Sequence, residues 1–278
     1  MWSYVAPWKR GEIEAPDFIR TAAQLGVDGV ELLDFFYRDK QDWSTETDQI
    51  RAALDETGLP VGVFSVGNDF AQADPSARAS QVDVIKRGVD QANVFGAGVV
   101  RVFAGGDLPG TPNETVFDWF LEGLCEASYY ANDKGVKLAL ENHGLIAGRS
   151  DQINDLVHKV RIATGNSVLG ANPDTGNFLL VNEDSTDAVR GVAKYAHMCH
   201  FKDFELAPPN WTGHAYTALD GTRFIGSAIG EGGVDLAACI DALREIGFDG
   251  WVNIEYESEE DPTSGVPRSV MNARRVVN

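Results

Sequence analysis

The sequence predicts a (β/α)8 barrel, an α/β fold in one domain over residues 1–278. Three observations point to it. The length of 278 residues suits eight strand–helix units closed on themselves. Short β-branched or apolar runs alternate with longer segments of helical period, the pattern of repeated βα units around a parallel sheet. Several helical segments end on a glycine just before the next strand: Gly26, Gly58, Gly96, Gly135, Gly165 and Gly247. Glycine at that place relieves the left-handed backbone that closes a helix.

Taken in order, the strand candidates are Trp2–Ala6, Gly29–Leu33, Pro60–Val66, Val99–Ala104, Val136–Glu141, Val168–Asn172, Tyr195–Phe201 and Trp251–Glu255. Helices are expected near 14–25, 46–57, 75–95, 114–134, 150–164, 184–194, 235–246 and 267–277. The spacing of roughly 30 to 35 residues per unit is that of a βα pair. No linker or low-complexity stretch divides the chain. Residues 204–234, rich in glycine, proline and threonine, read as one long loop after the seventh strand, over the mouth of the barrel. An open doubly wound sheet would also alternate strands and helices. Acid or imidazole groups at several strand ends select the closed barrel.

Composition narrows the function. Hydrophobic residues make up 44% of the chain, enough for a large core. Asp and Glu number 42 against 23 Lys and Arg, for a net charge of -19. That balance argues against a surface that neutralises phosphates, and so against nucleic acid as a partner. No apolar run approaches the roughly 20 residues of a membrane span. The opening MWSYVAPWKRGE lacks the basic-then-apolar order of a signal peptide. Cys125, Cys199 and Cys239 are dispersed and odd in number, which predicts buried thiols and a cytoplasmic protein.

In a barrel, reactive groups sit at the C-terminal ends of strands. Those ends carry Glu31, then Asn68 and Asp69, then Arg101. After them come Glu141 with Asn142 and His143, Asp174 with Asn177, His200 with Lys202 and Asp203, and finally Glu255. Carboxylates buried together repel unless a cation or proton lies among them. Glu141, Asp174, His200 and Glu255 form a set suited to one divalent metal: Mn2+, Mg2+, Co2+ or Zn2+. Strand alternation puts His197 and His200 on opposite faces, and His200 shares its face with Lys202. Glu257 lies in the acidic run ESEED and reads as solvated. Lys202, Asn177, Asn68 and His214 are candidate substrate contacts. Trp8, Phe70 and Trp211 are candidate apolar walls, and Arg101 is placed to cross to a carboxylate such as Glu141 or Glu31.

The order ENHG, DTGN, HFKD, IGEGGVDL and WVNIEYE resembles the sugar phosphate isomerase/epimerase family, within the xylose isomerase-like TIM barrel superfamily. The resemblance implies a metal, most often Mn2+, held by Glu141, Asp174, His200 and Glu255. It also implies that Glu141 and Glu255 exchange protons with carbons beside a ketose carbonyl, through an enediolate. His143, two residues beyond Glu141, is the third candidate for proton transfer. The expected activity is thus keto-sugar isomerisation or epimerisation.

Two features depart from the ketose 3-epimerase pattern. HFKDFELAPP has no arginine after the histidine, Arg223 being the next one, and ENHG places a histidine that resembles the one in C-glycoside deglycosidase catalytic subunits. The alternatives are therefore a lyase on 3-oxo-glycosides and a keto-sugar or keto-inositol dehydratase. A non-catalytic sugar-binding barrel is the alternative outside catalysis. A DNA-repair endonuclease on the same barrel is disfavoured by five histidines and the negative charge. The expected partner is a sugar or glycoside, with self-association into a homo-oligomer, or a partner subunit if the chain is deglycosidase-like.

Overall fold

The computed structural model describes residues 1–277. A 3-10 turn over Trp2–Tyr4 leads into α1 (Val5–Lys9) and α2 (Ala15–Gln24). Then follow β1 (Val30–Leu33), α3 (Ser44–Thr57), β2 (Val61–Ser65), α4 (Pro75–Phe95), β3 (Val99–Val102), α5 (Asn113–Lys134) and β4 (Lys137–Glu141). The second half contains α6 (Ser150–Thr164), β5 (Leu169–Asn172), α7 (Asn177–Leu180), α8 (Ser185–Val192) and β6 (Met198–Phe201). It ends with β7 (Phe204–Leu206), β8 (Tyr216–Thr217), β9 (Arg223–Gly226), α9 (Leu236–Arg244), β10 (Trp251–Ile254) and α10 (Pro262–Val277).

Strands β1 to β5 pair in parallel in sequence order, and β10 pairs in parallel with β6. Isolated bridges at Ala171–Ala196 and Asp174–His200 join β6 to the end of β5. All six glycines expected to close helices lie at positive φ, between 67° and 74°. Inside the barrel, Val63, Val99, Ala139 and Met198 form a small apolar layer against Trp251. Trp251 lies flat over Gly62, where an added Cβ would come within 2.6 Å of the indole. That position accepts glycine alone.

Three expectations need correction. Trp2–Ala6 is helical, not the first strand. Trp2 and Trp8 both converge on the Phe35–Phe36 pair, with ring centroids at 5.0 to 6.5 Å. An extended run would place those two indoles about 20 Å apart. Residues 204–234 are not one irregular loop, because β7, β9 and β8 form an antiparallel sheet there. Phe204, Tyr216 and Phe224 pack on one another across it. Strands of two to four residues are too short to show alternation in sequence. The last helix starts at Pro262, not near 267, and holds Pro267 inside it.

Candidate metal centre

Four strand ends on the second half of the barrel meet at one point. Glu141 closes β4, Asp174 follows β5, His200 lies in β6 and Glu255 follows β10. One ligand atom from each lies within 4.8 Å of the others, and all four residues are buried or nearly so. His200 Nδ1 is 3.0 Å from Glu255 Oε2 and 3.3 Å from Glu141 Oε2. Among the described residues, Asp174 Oδ2, His200 Nδ1 and Glu255 Oε2 have no partner in hydrogen-bonding geometry. Lone pairs left unsatisfied in one buried space are costly. A divalent cation accepts all of them, so the donor set fits one.

The surroundings set the charge on these donors. Glu31 faces the far side of the imidazole, with Oε2 3.0 Å from His200 Nε2. It also accepts hydrogen bonds from Ser65 Oγ and from Asn253 Nδ2. Burial pushes the imidazole down, but Glu31 and Glu255 outweigh it and raise it well above its ordinary value. A cation bound at Nδ1 would replace the proton there while Nε2–H stays on Glu31. Burial pushes the Glu31 carboxyl up, but His200, the chain's amino group and Arg101 outweigh it and bring it down to about 2. Glu141 is pushed up by burial and brought below the usual carboxylate range by Arg101 and His200. The Arg101–Glu141 contact is 3.3 Å, with both side chains buried, and Arg101 also donates to the Val66 carbonyl at 3.0 Å. The crossing arginine expected from sequence is therefore present.

Lys202 supplies the second cation. Its Nζ is 3.1 Å from Asp174 Oδ2, 3.3 Å from both Glu255 Oε2 and Glu257 Oε2, and 3.2 Å from Asn177 Oδ1. Burial pushes Glu255 up, yet Lys202 and His200 hold it well below the ordinary range. Asp174, deepest of the four, is pushed well above it by burial. Asn177 reaches between Lys202 and Glu141, donating to Glu141 Oε1 at 3.3 Å and to the Asn142 carbonyl at 3.1 Å.

Other expected residues fall elsewhere. His143 stands exposed at the mouth, its ring 5.0 Å from Phe103, two residues beyond Glu141. His214 is exposed on the small sheet, edge-on to Tyr216 at 4.7 Å. Asn68, expected to face substrate, instead clamps two strand ends: its amide donates to the Phe103 carbonyl at 2.7 Å and accepts from the Phe103 N–H at 3.0 Å. Trp8 and Phe70 are core residues, and Trp211 donates to the His214 carbonyl on the outer rim.

One site residue was misread. Glu257 does not belong to the solvated run. It faces Lys202 and accepts from Trp2 Nε1 and from Tyr216 Oη, the latter at 3.2 Å. Its parity with Glu255 was the available signal. The glycine-rich IGEGG is explained by Asp203, which accepts from the Gly230, Gly232 and Val234 amides at 2.9 to 3.1 Å.

A sequence model of the xylose isomerase-like TIM barrel family matches residues 19–275. An inosose dehydratase of Clostridium beijerinckii is 25% identical over 168 residues, covering 59% of this chain and 55% of that protein. The chain thus spans about half the length of the curated relatives it matches. Among solved structures, a 3-keto-D-glucoside 4-epimerase from E. coli superposes with a TM-score of 0.72 at 16% identity, over 94% of each chain. A xylose isomerase-like barrel protein from Mycobacterium smegmatis, in complex with magnesium, superposes with a TM-score of 0.70 at 19% identity, over 96% of this chain and 89% of that one. The fold, the buried ligand cluster at its strand ends and the match over residues 19–275 lead to one assignment: the chain belongs to the xylose isomerase-like TIM barrel family.

Proposed function

We propose that the chain is a divalent-metal-dependent isomerase or epimerase of keto-sugars, working by proton removal beside a carbonyl. The observation that carries this reading is the pairing of Glu141 and Glu255. They are carboxylates from different strands that meet at one ligand cluster and are both held below the usual carboxylate range. Each is thus in the form that takes a proton at neutral pH. One removes the proton from the carbon next to the carbonyl, and the other returns it to a neighbouring or inverted carbon. A bound divalent ion, for which we propose Mn2+, supplies Lewis acidity to the oxygens where negative charge develops.

The remaining roles follow from placement. Lys202, buried between Asp174, Glu255 and Glu257, binds a substrate oxygen, and Asn177 holds that ammonium in place. His143 at the mouth exchanges a proton with the leaving or hydroxyl oxygen. His214 and Tyr216 form the rim on the small sheet.

A second reading is dehydration of a keto-inositol, favoured by the inosose dehydratase similarity and by the exposed imidazole of His143. Both begin with the same proton removal. The deciding experiment incubates the Mn2+-loaded protein with free ketoses, keto-inositols and 3-oxo-glycosides in D2O. Deuterium at the carbon beside the carbonyl of an isomer or epimer supports the first reading, and loss of water supports the second. Turnover with no solvent deuterium in any product or recovered substrate, in the wild type and in Glu255→Gln alike, removes the glutamate pair from the mechanism.

A further inference from the structure

Lys202 stands on two of the oxygens that would ligate the cation. Its Nζ is 3.1 Å from Asp174 Oδ2 and 3.3 Å from Glu255 Oε2, and both of those atoms are buried without a partner in hydrogen-bonding geometry. The ammonium is therefore close to each oxygen and aligned with neither. An ammonium and a divalent ion on the same buried oxygens repel strongly, because little water screens them there. Filling the cluster requires another place for the ammonium.

Glu257 offers that place. It lies outside the ligand cluster, and its Oε2 is 3.3 Å from Nζ, the same distance as Glu255 Oε2. Both of its oxygens are held from other elements: Trp2 Nε1 donates to Oε1, and Tyr216 Oη of the small sheet donates to Oε2 at 3.2 Å. β9 packs directly on its backbone, since a Cβ added to Gly226 would overlap the Glu257 carbonyl. The root of Lys202 is fixed too. Thr175 Oγ1 donates to the Lys202 carbonyl at 2.7 Å and accepts from its N–H at 3.0 Å. The lysine stem lies over Gly176, where a Cβ would come within 2.7 Å of Cγ. With root and stem held, only the end of the side chain is left to swing between Glu255 and Glu257.

We propose that Glu257 receives the Lys202 ammonium when a cation occupies the cluster, as a positioning residue that acts on the ion site through Lys202. The inference rests on a cation binding at Glu141, Asp174, His200 and Glu255, and not on the reaction catalysed. With the cluster filled, Nζ leaves Asp174 and Glu255 and rests on Glu257 and on Asn177 Oδ1, which already lies 3.2 Å from it. Without the Glu257 carboxylate, the only charged partners left to the ammonium are the ligand oxygens, and it competes with the ion for them.

Calorimetric titration of the chelator-stripped full chain with Mn2+ tests this in the wild type, Glu257→Gln, Glu257→Asp, Lys202→Met and the Glu257→Gln/Lys202→Met pair. Glu257→Gln is expected to weaken Mn2+ binding by roughly tenfold, the scale of one hydrogen bond to a charged group. In the Lys202→Met background the same substitution should cost less than about threefold, because no ammonium is left to displace. Glu257→Asp keeps the charge but draws the carboxylate back from Nζ, and should weaken binding nearly as much as Gln. Equal losses from Glu257→Gln in both backgrounds would reduce its effect to plain charge and overturn the receiver. Wild-type affinity in Glu257→Asp would overturn it as well, and that variant decides the matter even if Lys202→Met does not fold. A wild type that binds no Mn2+ would remove the cation site itself, and the receiver with it.

Discussion

Glu31 holds one edge of the His200 ring, with Oε2 3.0 Å from Nε2, while the other ring nitrogen faces Glu255 at 3.0 Å. The two residues are 169 apart in sequence and touch because β1 and β6 both contribute to one barrel wall. This contact sets which nitrogen of His200 is free to bind a cation. Replacing Glu31 by Gln is therefore expected to weaken Mn2+ binding by roughly 10- to 100-fold, the usual loss on removing a ligand's supporting partner. Calorimetric titration with Mn2+ checks it. An unchanged affinity would make the contact incidental to the ligand set.

His143 should matter to rate and not to metal. It stands two residues past Glu141, exposed and turned onto Phe103. His143→Ala is expected to lower kcat by about 100-fold or more, a typical effect for a general acid or base, with metal content unchanged. Loss of the metal in this variant would make His143 part of the cation site instead.

Glu257 is one of three carboxylates on the Lys202 ammonium. Glu257→Gln keeps its shape and removes its charge, leaving Lys202 drawn toward Asp174 and Glu255 and away from substrate. The expected result is a KM raised roughly tenfold, the scale of one hydrogen bond to a charged group, with the stoichiometry of bound metal unaltered. A variant with unchanged KM would show that Lys202 does not depend on Glu257.

His197, on the opposite face of β6 from His200, gives a pH signature independent of the cluster. Burial, with Lys137 and Arg161 nearby, lowers it from 6.5 to about 4. The unfolded chain therefore binds the proton first as pH falls. The stability contributed by neutral His197 is complete above about 6.5 and is lost as pH falls from there toward 4. His197→Gln should flatten the fall of Tm across that window relative to wild type. Parallel curves would show that the imidazole is not kept neutral by the fold.

Much of this was legible in the sequence because local rules and fold agree. The six helix-closing glycines marked the units, and α4 (75–95) and α6 (150–164) lie where the periodicity put them. Parity separated His200 from His197, since three positions along a strand reverse the face. What was hidden depends on contacts between distant residues. Glu31 and His200, or Glu257 with Trp2 and Tyr216, become neighbours only when the barrel wraps. Trp2–Ala6 has strand-like composition, but the pull of two indoles toward Phe35 and Phe36 is a tertiary demand that no local pattern carries. Asn68 shows the reverse: a polar residue at a strand end reads as a substrate contact, and the Phe103 backbone takes it.

The central claim is that Glu141, Asp174, His200 and Glu255 hold one functional cation. Metal analysis of the purified, untreated protein, alongside Tm measured with and without added Mn2+, tests it most directly. The account predicts about one divalent ion per chain and a Tm that falls on chelation and recovers with Mn2+, as binding to the folded state alone requires. Glu255→Gln should lose both effects. A wild-type protein with no stoichiometric divalent metal, and no gain of stability from Mn2+, would contradict it.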